Sequence, residues 1–304
     1  MSDITVIGSL NMDLVATVKN MPKVGETLIG KELKQIPGGK GANQAVAAAR
    51  LGAKVSMIGK VGDDGFGKNL MDSMNSDGID TKYIKREENT STGVALITVN
   101  DEGDNSIVVI PGANFKVTKE DIDKATEAIE GSKIVLLQLE IPIDVVKYSL
   151  KKAKTLGKYT ILNPAPAQNL DDEIIENVDL LIPNETELEI LSGIEIKQEE
   201  DILNASRKLI KKGVKELIVT MGGKGCLYIN KDIVKKYKAH KVQVVDTTAA
   251  GDSFTAAVSV QLSKKESIDK AIEFAMKVGA LTVTKEGAQS SLPYLKDVLD
   301  FKGE

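Results

Sequence analysis

The 304-residue sequence contains one cysteine and one histidine. Lone Cys226 excludes an internal disulfide and any cysteine cluster for metal, and it suits a reducing cytoplasm. Lone His240 removes Ser-His-Asp and Cys-His catalysis together with histidine-rich metal sites. Basic excess is missing too: 40 Lys and Arg against 44 Asp and Glu give a net charge of −4, with nothing to displace counterions from nucleic acid. No apolar run has membrane-spanning length, and Met1-Ser2-Asp3 leads into a strand pattern rather than a secretory signal. A cytoplasmic protein without a nucleic-acid or membrane partner is therefore expected. Its chemistry has to use carboxylates, lysine, backbone amides and a supplied metal. Hydrophobic residues at 42% and charged residues at 28% are ordinary for a soluble globular chain, here long enough for one large α/β domain or two modest ones.

The stretch Val244 to Phe254 organises the rest. An apolar run, Val242 to Val245, reads as a short strand; small residues follow, then a carboxylate where a helical pattern begins. Ala249, Ala250 and Gly251 let another molecule approach the backbone closely. The first amides of the following helix have no intrahelical partner and carry the positive end of its dipole, which makes an anion site. Asp252 sits beside that site. A carboxylate repels a bound phosphate, yet it suits a base that takes the proton from a hydroxyl attacking the phosphate. N-capping of the helix by Asp252 is the competing reading.

Ile4 to Gly8 reads as a buried strand, and Asn11 and Asp13 lie just beyond its carboxyl end, where ligands bind in open α/β sheets. They either grip adjacent hydroxyls of a polyol or form a polar turn. Residues 14–36 and 92–110 read as extended segments, the second a strong hairpin, that form a small lid sheet set apart from the main domain. Between them Gly38-Gly39-Lys40-Gly41-Ala42-Asn43 opens the alanine-rich helix Ala45 to Leu51. Its glycines let a ligand sit against the chain and Lys40 and Asn43 add donors, unless the stretch is only a flexible helix start. Residues 62–69 nearly spell a phosphate-binding loop, but Asn69 stands where Ser or Thr should hold magnesium, and Asp63 and Asp64 occupy the loop. A turn into a helix from about Phe66 to Ser76 is preferred.

From residue 120 to 230, helices near Asp121–Glu130, Asp144–Thr155 and Ile202–Lys212 alternate with strands Ile134–Leu139, Tyr159–Leu162, Asp179–Ile182 and Leu217–Thr220. Each strand ends in polar or glycine residues, so these converge on one sheet edge. Asn184 and Glu187 suit either a hydrated magnesium ion or a plain capping box. Gly222 and Gly225 give a turn able to admit a flat or phosphorylated ligand. Two further helices, Ser253–Leu262 and Ile268–Val278, follow. No linker divides the chain, so residues 1–304 are expected to form a single domain.

Taken in order, Ser9-Leu10-Asn11-Met12-Asp13, Gly38 to Asn43, Leu139-Glu140, Asn163 to Ala167, Pro183 to Glu187, Asp246 to Asp252 and Lys285 to Gln289 resemble the motifs of the ribokinase family of carbohydrate kinases. The resemblance covers essentially the whole chain. It implies a three-layer α/β/α fold with a small β-sheet lid that pairs with a second subunit's lid in a homodimer. It also implies transfer of the γ-phosphoryl group of ATP to O5 of D-ribose. On that basis Asp252 matches the general base, and Ala249, Ala250 and Gly251 match the oxyanion hole. Asn11, Asp13, Gly39, Lys40, Asn43 and Glu140 match sugar-binding positions. Asn184, Thr220, Gly222 and Gly225 match nucleotide-binding positions, with Glu187 helping to place Mg2+. A K+ site is implied at Asp246, Thr248, Thr282, Lys285, Gly287 and Ser291, several of them through backbone carbonyls. Met276 stands where the family commonly has a polar residue near the adenine, so loose base selectivity is expected. Met12 is expected to crowd the sugar near its 2-hydroxyl, which keeps 2-deoxyribose as an acceptor; fructose or a nucleoside are the other acceptors. A sugar-binding sensor that has lost catalysis is the non-enzymic alternative.

Overall fold

The computed structural model describes residues 2–303. In chain order its strands are β1 (Ile4–Ile7), β2 (Asn11–Thr17), β3 (Glu32–Gly38), β4 (Val55–Gly62), β5 (Asp80–Glu87), β6 (Gly93–Val99) and β7 (Asn105–Ile110). Then come β8 (Ile134–Leu137), β9 (Tyr159–Leu162), β10 (Leu180–Leu181), β11 (Glu216–Thr220), β12 (Cys226–Asn230) and β13 (Val234–Tyr237). The helices are α1 (Lys40–Arg50), α2 (Gly65–Ser76), α3 (Lys119–Lys124), α4 (Thr126–Gly131), α5 (Ile143–Thr155) and α6 (Asp172–Glu176). They continue with α7 (Glu185–Ser192), α8 (Glu199–Lys211), α9 (Ala250–Ser263), α10 (Ile268–Thr282) and α11 (Leu295–Asp300). No helix among the described residues is long and apolar enough to cross a membrane.

Nine strands in the order β13-β12-β11-β10-β9-β8-β1-β4-β5 make one sheet, parallel except where β12 pairs with β11 and β13. Successive side chains of a strand point to opposite faces. Accordingly Ile4 and Val6 of β1 and Ile134 and Leu136 of β8 join the core that includes α1, α2, α9, α10 and α11. Ile7, Val135 and Leu137 instead join the core built with α3 to α8. The result is the expected three-layer α/β/α architecture. From β1 the sheet runs to β4 and β5 on one side and to β8, β9 and onward on the other. Strand order therefore reverses at β1, and a crevice at the carboxyl ends of β1 and β8 is where such folds bind ligands.

A second sheet, β3-β2-β6-β7, stands outside the first. Its β6–β7 hairpin is antiparallel as expected, while β2 and β6 run parallel. Residues 18–31 carry no strand. At the edge strand β7, Ile107, Val108, Val109 and Ile110 are all exposed.

Several boundaries differ from the sequence expectation. Val242–Val245 is not a strand: the amides of Val245 and Asp246 donate to the carbonyl of Val283 just after α10, and no sheet strand pairs with the segment. The helix expected over Asp121–Glu130 breaks at Ala125, whose φ of −97° and ψ of 13° separate α3 from α4. The alanine-rich helix starts at Lys40 rather than Ala45, because its cap is Gly39 with φ at +87°. β8 ends at Leu137, two residues early.

Candidate active site

Helix α9 begins at Ala250, and its cap is Ala249 in the left-handed conformation, φ 59°. Asp252 thus lies inside the first turn and does not cap the helix. Its buried carboxylate accepts one hydrogen bond from the side-chain amide of Asn43 at 3.0 Å and one from Gln44 at 3.0 Å. A Cβ on Gly251 would meet nothing within 4 Å, so the helix entrance is open. Among the described residues, no backbone carbonyl accepts from the amides of Gly251 or Asp252. Free amides at the positive end of a 14-residue helix make an anion seat directly beside the carboxylate.

The other half of the cleft is built from β2 and the head of α1. Asn11 and Asp13 share one face of β2, and Asn11 stands opposite Gly38 and Gly93. Asn114, in the turn Gly112–Lys116, accepts from the Leu10 amide at 2.9 Å and donates to Asn11 Oδ1 at 2.7 Å, fixing that side chain. Glu140 accepts from the Ser9 hydroxyl at 2.5 Å and the Lys40 amide at 3.0 Å, which ties it to the start of α1. Gly39 has to be glycine, since its φ is +87° and a Cβ would lie 2.7 Å from the Asn11 backbone nitrogen. Met12, which was expected to crowd the sugar, points the other way. It alternates with Asn11 and Asp13 and is buried in the core at 2% exposure.

These groups perturb one another. Burial, reinforced by the charges of Glu140 and Asp252, pushes the Asp13 carboxyl up to about 7 despite the opposing pull of Lys40. The charge of Asp252 outweighs burial at Lys40 and, with Glu140, Glu187 and Asp13, holds its ammonium protonated beyond the ordinary lysine range. Asn43 donates one amide hydrogen to Asp252 and leaves Oδ1 buried without a partner. A ligand hydroxyl would complete it.

Asn184 and Glu187 do form the capping box that competed with the metal reading. Asn184 Oδ1 accepts from the Glu187 amide at 2.8 Å, and the Glu187 carboxylate accepts from the Asn184 amide at 2.9 Å. One carboxylate oxygen and the Asn184 side-chain amide hydrogens remain for a ligand, and burial raises the Glu187 pKa above the usual range. Thr220 bridges to Asn184, and Gly222 (φ 53°) and Gly225 (φ 101°) make the turn beyond it. Gly225 cannot carry a side chain because the Tyr237 carbonyl lies against it. Met276 is half-buried on α10 and packs against the core.

Of the six residues expected at the potassium site, Asp246 is directly joined to two, Thr248 and Gly287. Asp246 accepts from the Thr248 amide at 2.8 Å, its hydroxyl at 2.7 Å, and the Gly287 amide at 2.8 Å. Burial opposes ionisation of Asp246, but these donors win and hold its carboxyl below the usual carboxylate range. The Lys285 amide donates to the Thr282 carbonyl, and Ser291 donates to the Ala288 carbonyl, with no hydrogen bond to Asp246. Among the described residues, no group of three His, Cys, Asp or Glu side chains could hold a metal by itself.

Gln44, Asn114, Gln138 and Asn163 were not picked out as site residues, although all are buried and polar. The signal for Gln44 was its place beside Asn43 at a glycine-rich helix start. Nothing local marks Asn114, which reaches Asn11 across a separation of 103 residues.

Residues 1–295 match the model of the pfkB family carbohydrate kinases. A ribokinase of Haemophilus influenzae is 42% identical over 98% of this chain and 97% of its own length. A deoxyribokinase of Salmonella typhi is also 42% identical, covering 98% of each chain. Among solved structures, the ribokinase of Arabidopsis thaliana complexed with ribose and ATP superposes with a TM-score of 0.92 at 33% identity, covering 99% of both chains.

Proposed function

Since the chain belongs to the pfkB family of carbohydrate kinases, we propose that it moves the γ-phosphoryl group of ATP to O5 of D-ribose, yielding D-ribose 5-phosphate and ADP. Asp252 carries this reading. It is buried, held by two amide donors, adjacent to unpaired helix amides, and in the electrostatic field of Lys40 and Asp13.

In the proposed reaction Asn11, Asp13, Gly39, Lys40, Asn43 and Glu140 bind and orient the sugar. Asp252 takes the proton from its primary hydroxyl as that oxygen attacks phosphorus. The amides at Ala249 and Gly251 face the charge that develops on the transferred group, whereas the Ala250 amide, expected beside them, is already spent on the Thr247 carbonyl at 3.2 Å. Asn184, Thr220, Gly222, Gly225 and Met276 line the nucleotide side. Mg2+, which keeps most of its waters, fits the single free carboxylate oxygen of Glu187 and would neutralise phosphate charge. K+ takes carbonyl and hydroxyl oxygens, which the 246–248 and 282–291 segments offer; the buried, unpartnered side-chain amide of Gln289 marks a polar site there that protein groups leave incomplete. The small sheet is the lid, and its exposed apolar edge is covered by the lid of a second copy in a homodimer. The buried free thiol of Cys226 fits a cytoplasmic enzyme.

2-Deoxyribose is the second reading, because a relative named for that substrate is as similar as one named for ribose, 42% in each case. Turning Met12 into the core removes the steric reason to disfavour the 2-hydroxyl. ADP release with ribose, 2-deoxyribose, fructose and adenosine separates the acceptors. Asp252→Asn is expected to keep sugar and ATP binding while kcat falls by on the order of a hundredfold or more. Near-normal turnover in that variant removes Asp252 from the role, and no turnover with any acceptor restores the sensor reading.

A further inference from the structure

Behind Asp252 lies a chain of buried amides: Gln44 and Gln138 are fully buried and Asn163 is 7% exposed. Gln44 Nε2 donates to Asp252 Oδ1 at 3.0 Å and to Asn163 Oδ1 at 3.1 Å. Its Oε1 accepts from Gln138 Nε2 at 2.6 Å. Asn163 Nδ2 donates in turn to the Ile182 carbonyl at 2.9 Å.

The orientation of each amide follows from the groups at the ends. An ionised carboxylate and a backbone carbonyl can only accept. Asp252 therefore requires the NH2 of Gln44, and the Ile182 carbonyl requires the NH2 of Asn163, which turns Asn163 Oδ1 back onto Gln44. Gln44 Oε1 is left pointing away from Asp252 and needs a donor. Gln138 is that donor, at the cost of leaving its own Oε1 buried without a partner. The same oxygen occupies the space where a Cβ on residue 8 would stand, so Gly8 makes room for it. An orphaned buried acceptor is destabilising. A glutamine kept at that cost, behind a residue in contact with the base, calls for a reason other than packing.

We infer that Gln44, Gln138 and Asn163 form a relay that keeps an N–H aimed at Asp252, with Gln138 acting as a positioning residue through Gln44. Without Gln138, Asp252 and Asn163 still call for the Gln44 NH2, but Gln44 Oε1 is left buried without a donor and the side chain is no longer held from both ends. Its N–H then strays from Asp252, which weakens one of the base's two donors. This inference rests on Asp252 being the base.

The test uses kinetics and sugar-binding calorimetry on Gln44→Met, Gln138→Met, the double variant and Gln138→Glu, with melting curves to confirm folding. Methionine nearly conserves the volume and removes the donor. Each single change is expected to lower kcat by on the order of 10- to 100-fold, the worth of a hydrogen bond to a charged group, with sugar Kd within about threefold. The double variant is expected to be no worse than Gln44→Met, since Gln138 acts only through Gln44.

Gln138→Glu supplies a sharper sign and serves if the methionine variants do not fold. Protonated, the introduced carboxyl donates to Gln44 as the amide did; ionised, it repels Gln44 Oε1. Burial shifts its titration upward. The variant's kcat relative to wild type is therefore expected to fall as pH rises. The surrounding charges, Asp252 on α9, Lys40 on α1, Asp13 on β2, Glu140 after β8 and Glu187 on α7, are common to both proteins and largely cancel in that ratio. Unchanged kcat in Gln44→Met, additive effects in the double variant, or a pH-independent ratio for Gln138→Glu overturns the relay. If Asp252→Asn also turns over normally, the assignment of the base has failed; if only the glutamine variants are normal, the relay alone has failed.

Discussion

Replacing Asp13 by asparagine is expected to stabilise the sugar-free protein while impairing its function. Burial, then the charges of Glu140 and Asp252, moves the Asp13 carboxyl from the 3.8 of an ordinary aspartate to about 7. Between those two values the folded protein holds a proton that the unfolded chain has released. Stability therefore falls as pH rises through this window and levels off above 7. Each pH unit of displacement corresponds to about 1.4 kcal/mol, so the ionised carboxylate costs about 4 kcal/mol at pH 8, less where water enters the open cleft. The neutral amide introduced by Asp13→Asn carries no such cost. Urea unfolding of both proteins without sugar, at pH 4 and pH 8, tests this. The variant should be more stable by about 1–4 kcal/mol at pH 8, and the gap should close toward pH 4. Its sugar KM should rise by on the order of 10- to 100-fold, because a charged acceptor is lost. For the wild type, sugar affinity should improve as pH rises through 7, when Asp13 becomes able to accept from a hydroxyl at both oxygens. A variant less stable than wild type at pH 8, or a stability gap that ignores pH, refutes the reasoning.

Gly39→Ala should lose about 1–3 kcal/mol from its positive φ alone, more from the collision with the Asn11 backbone, and should raise the sugar KM; melting curves and kinetics check both. Exchanging K+ for Na+ should lower kcat severalfold, and Asp246→Asn should abolish that difference; equal rates in the two salts would dismiss the cation proposal. Ile107→Lys with Val109→Lys, on the exposed edge strand, should convert a dimer to a monomer in sedimentation; a wild type that is already monomeric at micromolar concentration rules out lid pairing. With Met276 offering the base no hydrogen bond, kcat/KM for ATP and GTP should lie within about tenfold, and Met276→Asn should widen the gap.

Much of the architecture was legible because the local pattern and the global fold agree. Buried runs such as Ile134–Leu137 and Tyr159–Leu162 have only one comfortable place, between two helical layers. Where a backbone conformation decided the outcome, periodicity misled. The alanine run suggested a helix from Ala45, but the glycine that turns the chain stands at 39, so the ligand-facing residues lie inside the first turns of α1. Val242–Val245 has strand composition and no strand partner; composition reports preference, whereas pairing depends on which edge is free. The competing readings at the site were divided by contacts that spacing does not encode. Asp252 failed as a cap because Ala249 takes the left-handed position, whereas Asn184 is a cap and still leaves donors for a ligand. Gln138 and Asn114 stayed hidden because their importance comes from partners about a hundred residues away.

The cleft is also short of positive charge. Asp13, Glu140, Asp252 and Glu187 all act on one lysine, Lys40, yet the proposed donor is a polyanion. Position resolves part of the conflict. Asp13 and Glu140 belong to the half built from β2 and the head of α1, where a neutral sugar needs acceptors. The glycine turn at 222–225 lies beyond Asn184, and the uncharged free amides at the start of α9 adjoin Asp252. Chemistry resolves more of it. Each carboxylate is either given donors by amides, as Asp252 and Asp246 are, or pushed toward the neutral form, as Asp13 is. On the proposed reading the remaining charge is met by Mg2+ arriving with the nucleotide and by K+ beside it, since Lys40 is already shared among four carboxylates and Lys224 of the glycine turn is paired with Glu185.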